Sequence, residues 1–102
     1  MITINIAKDF TKSPGARFTT QGEFSGEEFR QKFLEKYFKD KSNKEQLKII
    51  LDGTAGYSTS FLDEAFGVLA REFGKTNVTK RIEFVSLEEP LLIKEVLGYM
   101  GL

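Results

Sequence analysis

The stretch LKIILDGTAGYSTSFLDEAFG, Leu47 to Gly67, decides the fold. Its opening residues Leu47, Ile49, Ile50 and Leu51 are nearly continuous apolar and end on Asp52. A strand with one wet face alternates, whereas a run like this predicts a central parallel strand buried on both faces. Gly53 and Gly56 loosen the backbone that follows. Leu62, Ala65, Phe66, Leu69 and Phe73 then recur at helical spacing, and Gly74 is a natural stop. A buried strand passing through a short loop into an amphipathic helix is one half of a βαβ unit.

The flanking segments extend the alternation. Ile2, Ile4 and Ile6 alternate with Thr3 and Asn5, the period of a half-buried strand. KDFTKSPGARFTTQGEF is polar and carries the turn signal Pro14-Gly15, and Phe18 to Thr20 predicts a short second strand ended by Gly22. SGEEFRQKFLEKYFKD predicts a helix that opens on a Ser25–Glu28 capping box. Phe29, Phe33 and Tyr37, with Leu34 and Phe38, form an aromatic stripe that packs on the sheet. RIEFVS predicts a strand with Ile82 and Phe84 on one face. Pro90 opens a last helix carrying Leu92, Ile93, Val96 and Leu97, frayed at Gly98 and Gly101. The expectation is a single α/β domain over 1–102, with a mixed, mostly parallel sheet of about four strands covered by about three helices.

Composition excludes several functions. The chain has 102 residues, with 15 Lys and Arg against 15 Asp and Glu. No overall field draws it to nucleic acid or an anionic membrane. No apolar run approaches the roughly 18 to 20 residues that span a bilayer. The N-terminal segment alternates, unlike a signal peptide, so a cytoplasmic protein is expected. With no Cys and no His, thiolate chemistry, Ser–His catalysis and His- or Cys-ligated zinc are excluded. Any metal would rest on carboxylates alone, and no metal or cofactor is expected. An enzyme would lack the commonest general base, which favours a non-enzymatic module.

The junction between strand and helix carries the functional question. In an open α/β sheet, ligands and partners meet the carboxyl ends of strands. Asp52 sits there, and Ser58, Thr59 and Ser60 precede the helix. One reading is a cap, with Ser60 as N-cap and Asp63 set against the helix dipole. The other is a hydroxyl that a kinase or partner reads, since a phosphate is tolerated at a helix N-terminus and changes the local charge. GTAGYSTS lacks the Lys of a P-loop, and its glycines make no dinucleotide fingerprint. A phospho-receiver would need an acidic pair after the first strand, where IAKDF offers Asp9 alone. Arg17 and Arg30 can clamp a partner's carboxylate or phosphate, or Arg30 can pair with Glu27 or Glu28. Asp63 and Glu64 are adjacent, hence about 100 degrees apart on a helix, and do not share one proton or one metal.

A hydrophobic strand followed by a loop of small and hydroxyl residues and then a helix resembles the signature of STAS domains, which include bacterial anti-sigma factor antagonists. Their Asp-Ser-Ser-Gly-Leu motif falls on Ser58-Thr59-Ser60-Phe61-Leu62. Thr59 takes the place of the phosphorylated residue, Ser58 replaces Asp and Phe61 replaces Gly. The chain is more closely similar to the bacterial family of STAS-like domains of unknown function. That likeness rests on Arg17…Gly22…Ser25-Gly26-Glu27…Phe29-Arg30, on Asp52…Ser58…Ser60-Phe61…Asp63-Glu64…Phe66-Gly67, and on RIEFVS. The resemblance implies a partner-switching signalling module that docks a histidine-kinase-like ATPase or an anti-sigma-type kinase and is controlled by phosphorylation. Its contact residues would be Asp52, Ser58, Thr59, Ser60, Phe61, Asp63 and Glu64, with Arg17, Ser25 and Arg30 in support. Two alternatives stay open. One is a Mg-assisted enzyme using Asp52, Asp9 or Glu64. The other is a self-associating domain, a homodimer, packed through Tyr57 and Phe61.

Overall fold

The computed structural model describes residues 1–102. Strand β1 (Ile2–Asn5) stops before Ile6, which opens a π-helical turn (Ile6–Phe10) instead of continuing the alternation, and is followed by helix α1 (26–39), strand β2 (Leu47–Ile50), helix α2 (59–73), a short helix α3 (Lys75–Arg81), strand β3 (Ile82–Val85) and helix α4 (Leu91–Tyr99). The strands form one parallel sheet in the order β1-β2-β3. β2 is the central parallel strand that its apolar run predicts.

The sheet has three strands, not about four. Phe18–Thr20 is not a strand, because side chains capture its backbone donors first. Gln21 Oε1 accepts from Phe18 N–H at 3.0 Å and Glu27 Oε1 from Thr19 N–H at 2.8 Å, which curls Thr19–Gln21 into a 3₁₀ turn. There is also one helix more than expected, α3. Its β-branched Thr76, Val78 and Thr79 hide a helical turn that is anchored by burying Val78.

The sheet is covered on one face. Register sets Ile4, Ile49 and Phe84 side by side, all buried, against the helices. The opposite face carries Thr3, Lys48 and Glu83 in one row and Asn5, Ile50 and Val85 in the next, all exposed or half-buried. This corrects the expectation that β2 buries both faces. Two right-handed crossovers that step the same way along the sheet put both connecting helices on one side.

α1 and α2 each contain one π-helical turn, Arg30–Leu34 and Asp63–Gly67. The extra residue in α1 brings Phe29 and Leu34, five apart, onto the same buried face. Phe29 sits at the centre of the core, with ring centroids 5.3 Å from Phe10, 5.2 Å from Phe33 and 5.9 Å from Phe66. At the start of α1 the two helices meet backbone to backbone. A Cβ on Gly26 would lie 2.4 Å from the Phe61 carbonyl oxygen. Ser25 Oγ caps α1 by accepting from Glu28 N–H at 3.0 Å, but Glu28 returns the bond to Phe24 N–H, not to Ser25. Gly98 lies inside α4 rather than fraying it.

Two glycine substitutions of opposite sign test this packing. Gly26→Ala pushes the helices apart and is expected to cost about 1–3 kcal/mol in chemical denaturation. Gly98→Ala, which meets nothing within 4 Å, is expected to gain up to about 1 kcal/mol from helix propensity.

Candidate functional site at the carboxyl edge of the sheet

Two features border one another where the strands end: a buried ion network beneath the start of α2, and an acidic depression between the turns after β2 and β3. The network is built on Arg30, whose side chain is 6 % exposed. Its Nε donates to Glu35 Oε2 at 2.9 Å, and its Nη1 donates to Glu64 Oε2 at 2.7 Å and to the Glu64 carbonyl at 2.6 Å. The last bond follows from the π turn. Val68 N–H bonds to the Asp63 carbonyl, five residues back, which takes from the Glu64 carbonyl its usual helical donor. Arg30 supplies the replacement. Arg30 therefore pairs with neither Glu27 nor Glu28.

Arg17 closes the network from the loop before α1. Its Nη1 donates to Asp63 Oδ2 at 2.8 Å and lies 3.3 Å from Glu64 Oε1, so the adjacent acids share one guanidinium. Arg71 holds Asp63 from the other side with two bonds of 3.2 Å. Burial works against the Asp63 charge, but the bonds from Arg17 and Arg71 outweigh it and hold the carboxyl below its ordinary range. Glu35 is lowered in the same way, burial being outweighed by Arg30 and Lys39.

The hydroxyl run starts the helix two residues earlier than expected. Ser58, not Ser60, is the N-cap, its Oγ accepting from Phe61 N–H at 3.0 Å. Gly56, at φ +125°, makes the turn that delivers Ser58 to this position. Thr59 is exposed and takes no part in the cap. Ser60 is half-buried and lines a shallow depression with Ser58, Arg17 and Gln21.

Asp52 is a staple. Its Oδ2 and Oδ1 accept from Leu87 and Glu88 N–H, each at 2.9 Å, and Glu88 Oε1 accepts in return from Gly53 N–H at 2.9 Å. Tyr57 closes the floor, its hydroxyl donating to the Leu51 carbonyl at 2.8 Å. Burial raises the Tyr57 phenol to about 12, and the charges of Asp52 and Glu88 push the same way. The depression is lined by Asp52, Glu88, Glu89, Ser86, Tyr57 and Leu92 among others, and no lysine or arginine lines it.

Several expected contact residues are not surface residues. Phe61 is fully buried, so it neither meets a partner nor joins Tyr57 in a self-associating face. Ser25, Arg30 and Glu64 are buried as cap and ion pairs. Asp9 is engaged by Asn5 N–H at 2.7 Å, Asp52 by the turn after β3, and Glu64 by the arginines. The three carboxylates of the enzyme alternative are thus spent in separate bonds. Arg71, Glu35 and Glu88 went unnoticed in the sequence, because each acts on a residue that only folding brings near.

The model of the STAS-like domain of unknown function family (DUF4325) matches residues 25–92, which hold α1, α2 and the Asp52 staple. The chain belongs to this family of STAS-like domains. No curated protein and no solved structure gives a match. No helix of this STAS-like domain is long and apolar enough to cross a membrane.

Arg30→Met is expected to destabilise the domain by about 3–5 kcal/mol in urea denaturation, because Glu35 and Glu64 lose their buried cation and keep only the more exposed Lys39 and Arg17. The lowered carboxyls set a pH dependence. A folded pKa below the unfolded value contributes stability that is complete above the unfolded value and lost as pH falls through the folded one. With no His in the chain, Tm is expected to stay flat from about pH 6 to 8 and to fall below about pH 4, where Asp63 and Glu35 protonate.

Proposed function

We propose that this STAS-like domain is a non-enzymatic signalling module that docks a protein partner through the carboxyl edge of its sheet. The partner class is a histidine-kinase-like ATPase or an anti-sigma-type kinase. The observation that carries this reading is the exposed Thr59 hydroxyl at the start of α2, free of the capping bond that occupies Ser58. Asp63 supports it as a partly exposed neighbour whose position the two arginines fix.

Phosphorylation gives such a module its control. A phosphate on Thr59 adds about −1.5 to −2 charge. It would lie at the start of α2, where the unpaired N–H groups tolerate it. The domain would keep its fold while a partner drawn to Asp52, Glu88 and Glu89 would meet a changed field and a bulkier surface. Ser58 is the poorer target, because modifying it sacrifices the cap on Phe61 N–H.

Incubation with the purified ATPase and MgATP, followed by mass-spectrometric site mapping, is expected to find one phosphate on Thr59 and weaker binding of the modified form. Thr59→Val should abolish the modification with Tm unchanged. Absence of both binding and modification at 58–60 would refute the reading.

A further inference from the structure

Leu87 and Leu91 are 83 % and 81 % exposed, Leu87 in the turn after β3 and Leu91 at the first position of α4. Singly exposed leucines are ordinary on any protein surface, but here two flank one turn that is bonded along its length. Asp52 pins Leu87 and Glu88 N–H, Glu88 returns a bond to Gly53, and Ser86 Oγ donates to the Glu89 carbonyl at 2.7 Å and accepts from Glu89 N–H at 3.3 Å. Leu92 N–H donates to the Glu89 carbonyl at 2.9 Å, and Pro90 stiffens the entry to α4. The backbone beside both exposed leucines is therefore held by hydrogen bonds.

The charges around the leucines narrow what can cover them. Asp52, Glu88 and Glu89 border the turn, and the depression beside it has no basic lining. Lys12 meets the β2 loop through its backbone carbonyl, which accepts from Ala55 N–H at 2.8 Å. Lys94 is exposed further along α4. A two-fold contact with a second copy would set the three acids against themselves. An anionic membrane or a nucleic acid would be repelled by the same acids.

We propose that the turn Leu87–Leu91 is a rigid docking knuckle for a protein whose socket is apolar and rimmed with lysine or arginine. The proposal rests on reading this edge as a docking surface and extends it from the α2 start to the β3–α4 turn. A preformed apolar knob in a charged rim costs little ordering on binding, which is how a small contact gains affinity. The acids steer the partner and the leucines hold it. Asp52, the residue at the β2 end, serves by fixing the knuckle and need not touch the partner itself.

The chain has no cysteine, so Leu87→Cys introduces a unique attachment point for a benzophenone cross-linker, with Gln31→Cys on α1 as control. Irradiation in extract from the native cells is expected to give one adduct at position 87 that is absent at 31. The cross-linked protein, once purified, should bind the wild-type domain, and Leu87→Glu should weaken that binding about tenfold or more with Tm unchanged. The double variant Glu88→Lys, Glu89→Lys, or added salt, should also weaken it. No adduct above the control, an adduct with a second copy of the chain, or binding indifferent to Leu87→Glu would each overturn the proposal. Thr59→Glu separates the two readings. If it leaves the complex intact while Leu87→Glu breaks it, the knuckle stands and the phosphate control falls; the reverse result removes the knuckle and keeps the control.

Discussion

A guanidinium almost without access to water holds the two main helices together. Arg30 on α1 bonds Glu35 on its own helix, and both the carboxylate and the backbone carbonyl of Glu64 on α2. The geometry demands arginine, since a lysine ammonium is a point donor that cannot fork toward three acceptors in different directions. Each helix also carries a π turn beside this contact. The turn in α2 leaves the Glu64 carbonyl short of its helical donor, and the turn in α1 starts at Arg30 itself. Desolvating these charges is costly, so the network is weak evidence of stability by itself. What it secures is register. Gly26 lies against the Phe61 backbone, and a slip of either helix would break that contact and part Arg30 from the buried Glu64.

The one-sided sheet follows from the same arrangement. With α1 and α2 fastened to each other on one face, the other face holds a row of Thr3, Lys48 and Glu83, polar enough to meet water unaided. Ile50 and Val85, only half-buried, are the apolar exceptions beside it. Parallel sheets are usually covered on both sides. Here the short strands and the polar row make a second layer of helices unnecessary. All three strand ends then point to the same rim, where the turns after β2 and β3 are tied by Asp52.

The parts of the fold written in local pattern were legible. The alternation of β1, the apolar run of β2, the stripe of α1, the stop at Gly74 and the opening of α4 at Pro90 all follow from periods of two or four and from caps. The missed parts were decided by distant partners. Phe18–Thr20 has strand-like residues, yet Gln21 and Glu27 claim its donors. α3 has strand-like residues too, and only its fit over Val78 makes it a helix. At the site, the hydroxyl run was visible but its roles were not. Ser58 became the cap because the Gly56 turn delivers it there, two residues ahead of the position that the helical period alone suggested. Asp52 was correctly seen at a strand end, but its partners lie some 35 residues on, and no local signal links them.

Net charge is the clearest case of composition concealing geometry. The balance of fifteen against fifteen suggests a featureless surface. In the fold, all four arginines are engaged by other groups of the chain, Arg30 and Arg81 buried, Arg17 half-buried and Arg71 exposed. Arg17, Arg30 and Arg71 hold Asp63, Glu64 and Glu35. Arg81 stacks 4.4 Å over the Phe38 ring and donates to the Tyr37 and Glu45 carbonyls. Forked, always-charged donors suit buried sites, and lysines are left for water. The acids divide differently. Those on α1 and α2 that face the network are neutralised by arginine, while Asp52, Glu88 and Glu89 are met only by backbone N–H groups or by solvent. A backbone donor satisfies a carboxylate without cancelling its charge. The carboxyl edge of the sheet therefore stays negative in a molecule whose total is zero, and the two leucines held out beside it give that field something to deliver a partner to.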